Sequence, residues 1–237
     1  MRVLHIVATP RAEASNTMKV ADAFFQELME AAPDCSIETL NLFADDLPKV
    51  AGTNIEAKYT LMTGTPLNPV MAQSWTQIEA LIERFLTAEV HVMSVPMWNF
   101  SIPYSLKYFI DAIVQPGYLF RYNESGIAEG MVHGKKMVVI TSRGADYSAD
   151  SPFNAYDFME PYLRAIFGFV GIYDIDFVYA QPTDMSQFRE AAMTRAFADA
   201  RAAARRLADG RSEAPEEDLP EGLMQPVLLP GVDEPVA

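Results

Sequence analysis

The chain has 237 residues, half of them apolar, enough for one large domain with a sizeable core and too few for two generous ones. Its 18 basic and 32 acidic residues give a formal charge of −14, which argues against nucleic acid or an anionic membrane as the main partner. No apolar run approaches the ~18 residues of a membrane span, and the single cysteine, Cys35, excludes an internal disulfide.

Apolar runs and helical patterns then alternate along the chain. VLHIVA at 3–8 is shorter than the roughly 7–15 residues of a signal-peptide core and has no small-residue cleavage site after it. It reads as a first strand, and the cytoplasm is the expected compartment. A turn follows, TPRAEAS, and then Met18, Ala21, Phe25 and Leu28 recur at helical spacing up to Pro33. Cys35 opens an edge-like strand, SIETLNL at 36–42, with no neighbouring His, and reads as a small packing residue.

Residues 43–69, with Pro48, Pro66 and Pro69 as breakers, read as irregular. Met71, Trp75, Ile78, Ile82 and Phe85 mark an amphipathic helix, EVHVMSV at 89–95 the third strand, and 104–114 a helix. GYLFRYNESGIAEGMV at 117–132 carries the Gly and Asn punctuation of an inserted hairpin. KMVVITS at 136–142 is a fully buried strand, 156–169 a helix, IYDIDFVYA at 172–180 the last strand, and 185–208 an Ala-rich helix. The domain is expected over 1–209. The remaining 210–237 read as an acidic, Pro-rich, solvated tail: from 211 on there are seven acids, one base and five of the 16 prolines. Its VLLP patch, 227–230, is the one stretch there suited to strapping onto a neighbouring surface.

Five strands separated by helices imply βαβ units and a parallel sheet covered on both faces. Ligands of such sheets bind beyond the carboxyl ends of the strands, where strand order reverses. The functional loops are therefore expected after strands one, three and four, and those loops hold the unusual residue clusters.

In the first loop, Ser15, Asn16 and Thr17 sit where a helix begins. They suit a helix N-cap, or an anion site on the free amides of the first turn. No G-x-G-x-x-G and no P-loop motif is present. In the second, SVPMWNFSIP follows an apolar strand with Trp98, Asn99 and Phe100, either a plug for the core or a wall for a planar ring whose polar edge Asn99 addresses. In the third, TSRGADYS places Gly144 where a close backbone approach or a positive φ is permitted. Arg143 beside it is either a surface ion-pair partner or a ligand contact. Tyr118, Phe120 and Tyr122 alternate along the hairpin and face one way if it is a strand, while Phe167 and Phe169 end the following helix.

His5, His91 and His133 lie apart, without partners at ligand spacing, and nothing matches a hydrolytic triad or a metal site. The chemistry is therefore expected from a cofactor. A planar aromatic ring carrying one phosphate fits the three loops, and that description is FMN.

The run PMWNFSIPYSLKYFIDAIVQPGYLFRYNESG, then GKKMVVITSRGADY and PYLRAIFGFVGIYDIDFVYA, resembles the FMN-dependent NADH-azoreductases, also called FMN-dependent NADH:quinone oxidoreductases. The likeness runs from residue 1 to about 209 and is strongest over 90–180. It implies a flavodoxin-like five-stranded parallel sheet of order 2-1-3-4-5, helices on both faces, and a homodimer with FMN sites at the subunit interface. It implies that Ser15, Asn16 and Thr17, with Thr9 close by, hold the FMN phosphate. Pro96, Met97, Trp98, Asn99 and Phe100 would wrap the ring, and Ser142, Arg143, Gly144 and Ala145 would line its pyrimidine side. Tyr118, Phe120 and Phe169 would wall the substrate slot. Ala145 replaces the second Gly of a common S-R-G-G, and Thr9 stands where Ser is frequent.

The implied reaction is a two-step cycle: NADH or NADPH reduces the flavin, and a quinone or azo compound then takes two electrons from it. No side chain is assigned as obligatory acid or base; Tyr147 is a weak candidate proton donor. The competing readings are an NAD(P)H-dependent FMN reductase, a flavodoxin-type electron carrier that does not oxidise NADH, and a flavin-free binding domain.

Overall fold

In the computed structural model, which describes residues 1–210, the apolar runs become five parallel strands of one sheet. They are β1 (Arg2–Val7), β2 (Ser36–Asn41), β3 (Val90–Ser94), β6 (Lys136–Ser142) and β7 (Asp174–Ala180), in the order β2-β1-β3-β6-β7. Two short antiparallel strands, β4 (Phe120–Tyr122) and β5 (Ala128–Gly130), form the expected hairpin outside that sheet. With the hairpin set aside, the order is the expected 2-1-3-4-5.

Alternation along each strand divides the core. Val3, Val90, Val92, Val138, Ile140 and Val178 face α1 (Asn16–Ala31) and α6 (Ser186–Ala208). Leu4, Ile6, Met93, Met137, Val139, Ile175 and Phe177 face the opposite side, where α3 (Pro69–Thr87), α4 (Tyr104–Ile113) and α5 (Glu160–Val170) pack. The alanines of α6 explain its fit: Ala196, Ala200, Ala203 and Ala204 are buried against the Val20, Phe24 and Leu28 stripe of α1, and small side chains let the two helices approach closely. No helix among the described residues is long and apolar enough to cross a membrane.

Two sequence expectations need correction. Residues 43–69 are not wholly irregular, because α2 (Thr53–Met62) lies within them. Only Asn54 and Ala57 of α2 are buried, so it presents no apolar stripe for periodicity to reveal. The helix expected over 156–169 begins later, at Glu160. Asp157 Oδ1 accepts from the amides of Met159 and Glu160 there, and Pro161 occupies the first turn. The tail reading over 210–237 lies outside the described residues, apart from Gly210.

Two histidines are built into the core. His5 shares a 2.8 Å hydrogen bond with Ser94 Oγ across β1 and β3, and its ring packs on Phe25. His91 Nε2 donates to the Phe85 carbonyl and its ring stacks on the Phe85 ring at 4.0 Å. Burial pushes both imidazoles down to about 4. Folded, both stay neutral through a range in which the unfolded chain binds protons. Their contribution to stability is thus complete above pH ~6.5 and is lost as pH falls from there toward 4, by about 3 kcal/mol per histidine. The urea midpoint should therefore fall between pH 7 and pH 5, and His5→Gln should lose less over that interval than the unmodified chain. An equal loss in both proteins would contradict this assignment.

Candidate active site

The loops after β1, β3 and β6 meet at the carboxyl edge of the sheet. In the first, Ser15 is the N-cap of α1, accepting from the Met18 amide at 3.4 Å, and Thr9 Oγ1 donates to Ser15 Oγ at 3.3 Å. The cap reading is thus realised, and the anion reading stands beside it: the helix itself offers no acceptor to the amides of Asn16 and Thr17. The Thr17 hydroxyl is already engaged, 2.7 Å from Ser142 Oγ, and ties the first loop to the third.

The second loop answers why a turn here carries aromatics. The pairing with β6 continues past the last regular residue of β3, Val95 N–H donating to Ile140 O and Met97 N–H to Ser142 O, both at 2.9 Å. The chain then reverses in two residues, with Trp98 and Ser101 exchanging N–H···O bonds at 2.9 Å. Asn99 and Phe100, between them, have φ of 47° and 71°. Both central residues are left-handed, as a type I′ turn requires. Asn tolerates that conformation; for Phe it stores roughly 1–3 kcal/mol. The result is a benzyl group 44% exposed at the sheet's edge, so Phe100 is no core plug. Its carbonyl accepts from Phe158 N–H at 3.0 Å and its ring lies 5.4 Å from Tyr156. Pro96 and Met97 are half-buried, Met97 against the core, while half-buried Trp98 leans on Phe43 and Tyr104.

The third loop corrects two readings. Arg143 is neither a surface residue nor aimed at the open edge: its side chain is 1% exposed, and Nη1 donates to Asp157 Oδ2 at 2.7 Å. Gly144 does not have a positive φ. A Cβ there would lie 2.4 Å from Asp184 Oδ2, so the glycine makes room for a carboxylate of the same chain. Ser142 and Ala145 are half-buried. Tyr147 is buried, and burial pushes its phenol up, which keeps its proton in place across the neutral range.

The three proposed slot residues are not brought to these loops within one chain. Tyr118 precedes β4 and turns to α3. Its hydroxyl donates to Glu79 at 2.6 Å and accepts from Trp75 Nε1 at 3.2 Å, and burial with the Glu79 bond pushes it up to about 12. Phe120 packs on Tyr122 and on Phe169, where α5 ends and β7 is about to begin. That is the opposite end of a seven-residue strand, roughly 20 Å away. Phe167 is fully buried and stacks on Phe85, a core role.

Sequence reasoning missed Asp157, Glu160, Asp184, Tyr156 and Phe158. Only Asp157 was signalled, as a capping residue just before Glu160-Pro161. Among the described residues no group of three or more His, Cys, Asp or Glu is placed to hold a metal ion.

The flavodoxin-like fold family model matches residues 1–204. The chain is 41% identical over 181 residues to an FMN-dependent NADH:quinone oxidoreductase of Nitratidesulfovibrio vulgaris (strain DP4), covering 76% of this chain and 86% of that one. It is 38% identical over 203 residues to the protein of the same name from Nostoc punctiforme, covering 86% and 96%. Among solved structures it is similar to an FMN-dependent NADH-azoreductase from Bacillus anthracis str. Ames Ancestor in complex with FMN, with a TM-score of 0.77, 28% identity, and 87% and 99% of the two chains covered. The sheet order and these likenesses agree: the chain belongs to the flavodoxin-like fold family and, within it, to the FMN-dependent NADH:quinone oxidoreductases and NADH-azoreductases.

Proposed function

We propose that this chain is an FMN-dependent oxidoreductase that passes two electrons from NADH, through bound FMN, to quinones and azo compounds. The observation that carries the proposal is the meeting of three loops at one sheet edge, the α1 N-terminus in one and the strained Asn99–Phe100 turn in another. The donor set fits FMN. Amides at the head of α1 suit a phosphate, an exposed ring and a half-buried indole suit a flat apolar body, and main-chain groups of two loops suit its polar rim.

The residue roles follow from that fit. Ser15 and Asn16, the Thr17 amide and the nearby Thr9 hold the phosphate. Pro96, Met97, Trp98, Asn99 and Phe100 enclose the ring. Ser142, Gly144 and Ala145 follow its pyrimidine side through the main chain. When bound, FMN supplies the two-electron chemistry, taking hydride from NADH and reducing the acceptor. The chain's part is alignment: a fixed turn and a fixed loop hold N–H donors where negative charge develops, so no reorganisation is needed at the moment of transfer. Water supplies the protons in this reading: Tyr147 is buried, and burial pushes its phenol up, which makes it a weak acid.

We further propose a homodimer with the sites at the interface, acting in the cytoplasm. Exposed Phe100, Tyr104, Tyr156 and Phe158 surround the edge, and exposed Phe169, with Phe120 packed beneath it, reaches such an edge only from a second copy. Sedimentation of the purified protein should give twice the 26.3 kDa chain mass, and a monomer at micromolar concentration would contradict it.

Phe100→Gly tests the role of the turn. Asn-Gly is a favoured sequence for this turn, so the variant should stabilise the flavin-free protein by about 1 kcal/mol while weakening FMN binding and NADH:quinone turnover at least tenfold. A more stable variant with unchanged FMN affinity and turnover would remove Phe100 from the site.

A further inference from the structure

We infer that the buried Arg143–Asp157 ion pair is a positioning device that sets the spacing of the two loops enclosing the flavin; this inference rests on the flavin reading above. Arg143 is fixed on both sides. Its N–H donates to Ala180 O, and its carbonyl accepts from the amide and hydroxyl of Thr183, which clamps the residue's main chain to the end of β7. Its guanidinium lies 4.7 Å over the Tyr179 ring and 2.7 Å from Asp157. The other oxygen of Asp157 accepts from the amides that start α5. The next residue, Phe158, donates its N–H to the carbonyl of Phe100. A continuous path therefore runs from the third loop, through one carboxylate, to the strained residue of the second.

The arrangement is poorly suited to stability alone. Arg143 Nε and Nη2 are buried without a hydrogen-bond acceptor, and Nη2 lies 3.6 Å from the nearest Glu160 oxygen. Glu160 is itself engaged by Arg164 at 2.9 Å and by the Tyr179 hydroxyl at 2.6 Å. A buried pair of this kind is commonly matched or exceeded in stability by apolar residues of similar volume. What apolar residues lack is direction: a charge-assisted hydrogen bond fixes angle as well as distance. Directional fixing is what a left-handed Phe100 needs, since a relaxed turn would carry the ring and the Asn99 amide away from the flavin. Arg143 and Asp157 are positioning residues, and neither side chain needs to touch the cofactor.

The test uses FMN titration of the flavin-free protein, the visible circular dichroism of the bound flavin, and thermal melting, on the unmodified chain, Asp157→Asn, and the double variant Arg143→Met with Asp157→Asn, which also keeps the oxygen that accepts from α5. Asp157→Asn keeps the side-chain volume and the oxygen that accepts from α5. The double variant leaves no buried charge unpaired, so it folds even where Asp157→Asn is weakened. Both variants, folded by far-ultraviolet circular dichroism, should bind FMN at least tenfold more weakly and show an altered visible band, although the double variant melts near the unmodified protein. FMN affinity within twofold of the unmodified chain, with superimposable visible bands in the double variant, would overturn the proposal whatever the melting temperatures. Failure of the unmodified chain to bind FMN would overturn the flavin reading and this proposal with it.

Discussion

The functional edge depends on the pairing with β6 that continues beyond the last regular residue of β3. Two hydrogen bonds, Val95 N–H to Ile140 O and Met97 N–H to Ser142 O, carry the register of the sheet into the loops. A parallel ladder sends every strand's carboxyl end the same way, so this register decides where the Asn99–Phe100 turn stands relative to the Ser142–Gly144 backbone. The Thr17–Ser142 hydroxyl pair brings the head of α1 to the same point. Three segments distant in sequence thus meet through main-chain geometry, with few side chains directing them.

Holding that edge requires a rigid base, and burial supplies it. β1, β3 and β6 are covered on both faces, and their apolar side chains leave water almost completely. The polar groups enclosed with them, His5 with Ser94 and His91 with the Phe85 carbonyl, are hydrogen-bonded and stay neutral, consistent with the cost of burying a charge. Among the described residues the one ion pair with both side chains buried, Arg143 with Asp157, lies where the sheet gives way to the loops. Strain at Phe100 and an imperfectly satisfied guanidinium are joined there through Asp157 and Phe158, a concentration that locates function more sharply than the fold does.

Much of this was legible in the sequence because it depends on local pattern. The inner strands β1, β3 and β6 are apolar runs, β2 is an alternating edge strand, and the stripe of Met71, Trp75, Ile78, Ile82 and Phe85 announces α3. The α2 helix was not legible, since a helix whose fully buried residues are only Asn54 and Ala57 has no clear apolar stripe. Asn-Phe lacks the Asn-Gly signature of a left-handed turn, so the reversal at Trp98–Ser101 was read as a cluster of unusual residues and not as a hairpin turn. The partner of Arg143 is 14 residues away, and charge alone does not tell a buried pair from an exposed one. Alternation put Phe120 and Tyr122 on one face but left open which end of the sheet that face adorns.

The central claim is that these loops hold a flavin that takes electrons from NADH and gives them to a quinone. The direct measurement is an absorption spectrum of the purified, FMN-loaded protein under anaerobic conditions, before and after NADH and again after benzoquinone. The account predicts flavin bands near ~450 nm that bleach with NADH and return with the quinone. Bands that persist in NADH would contradict it and favour an electron carrier fed by another protein.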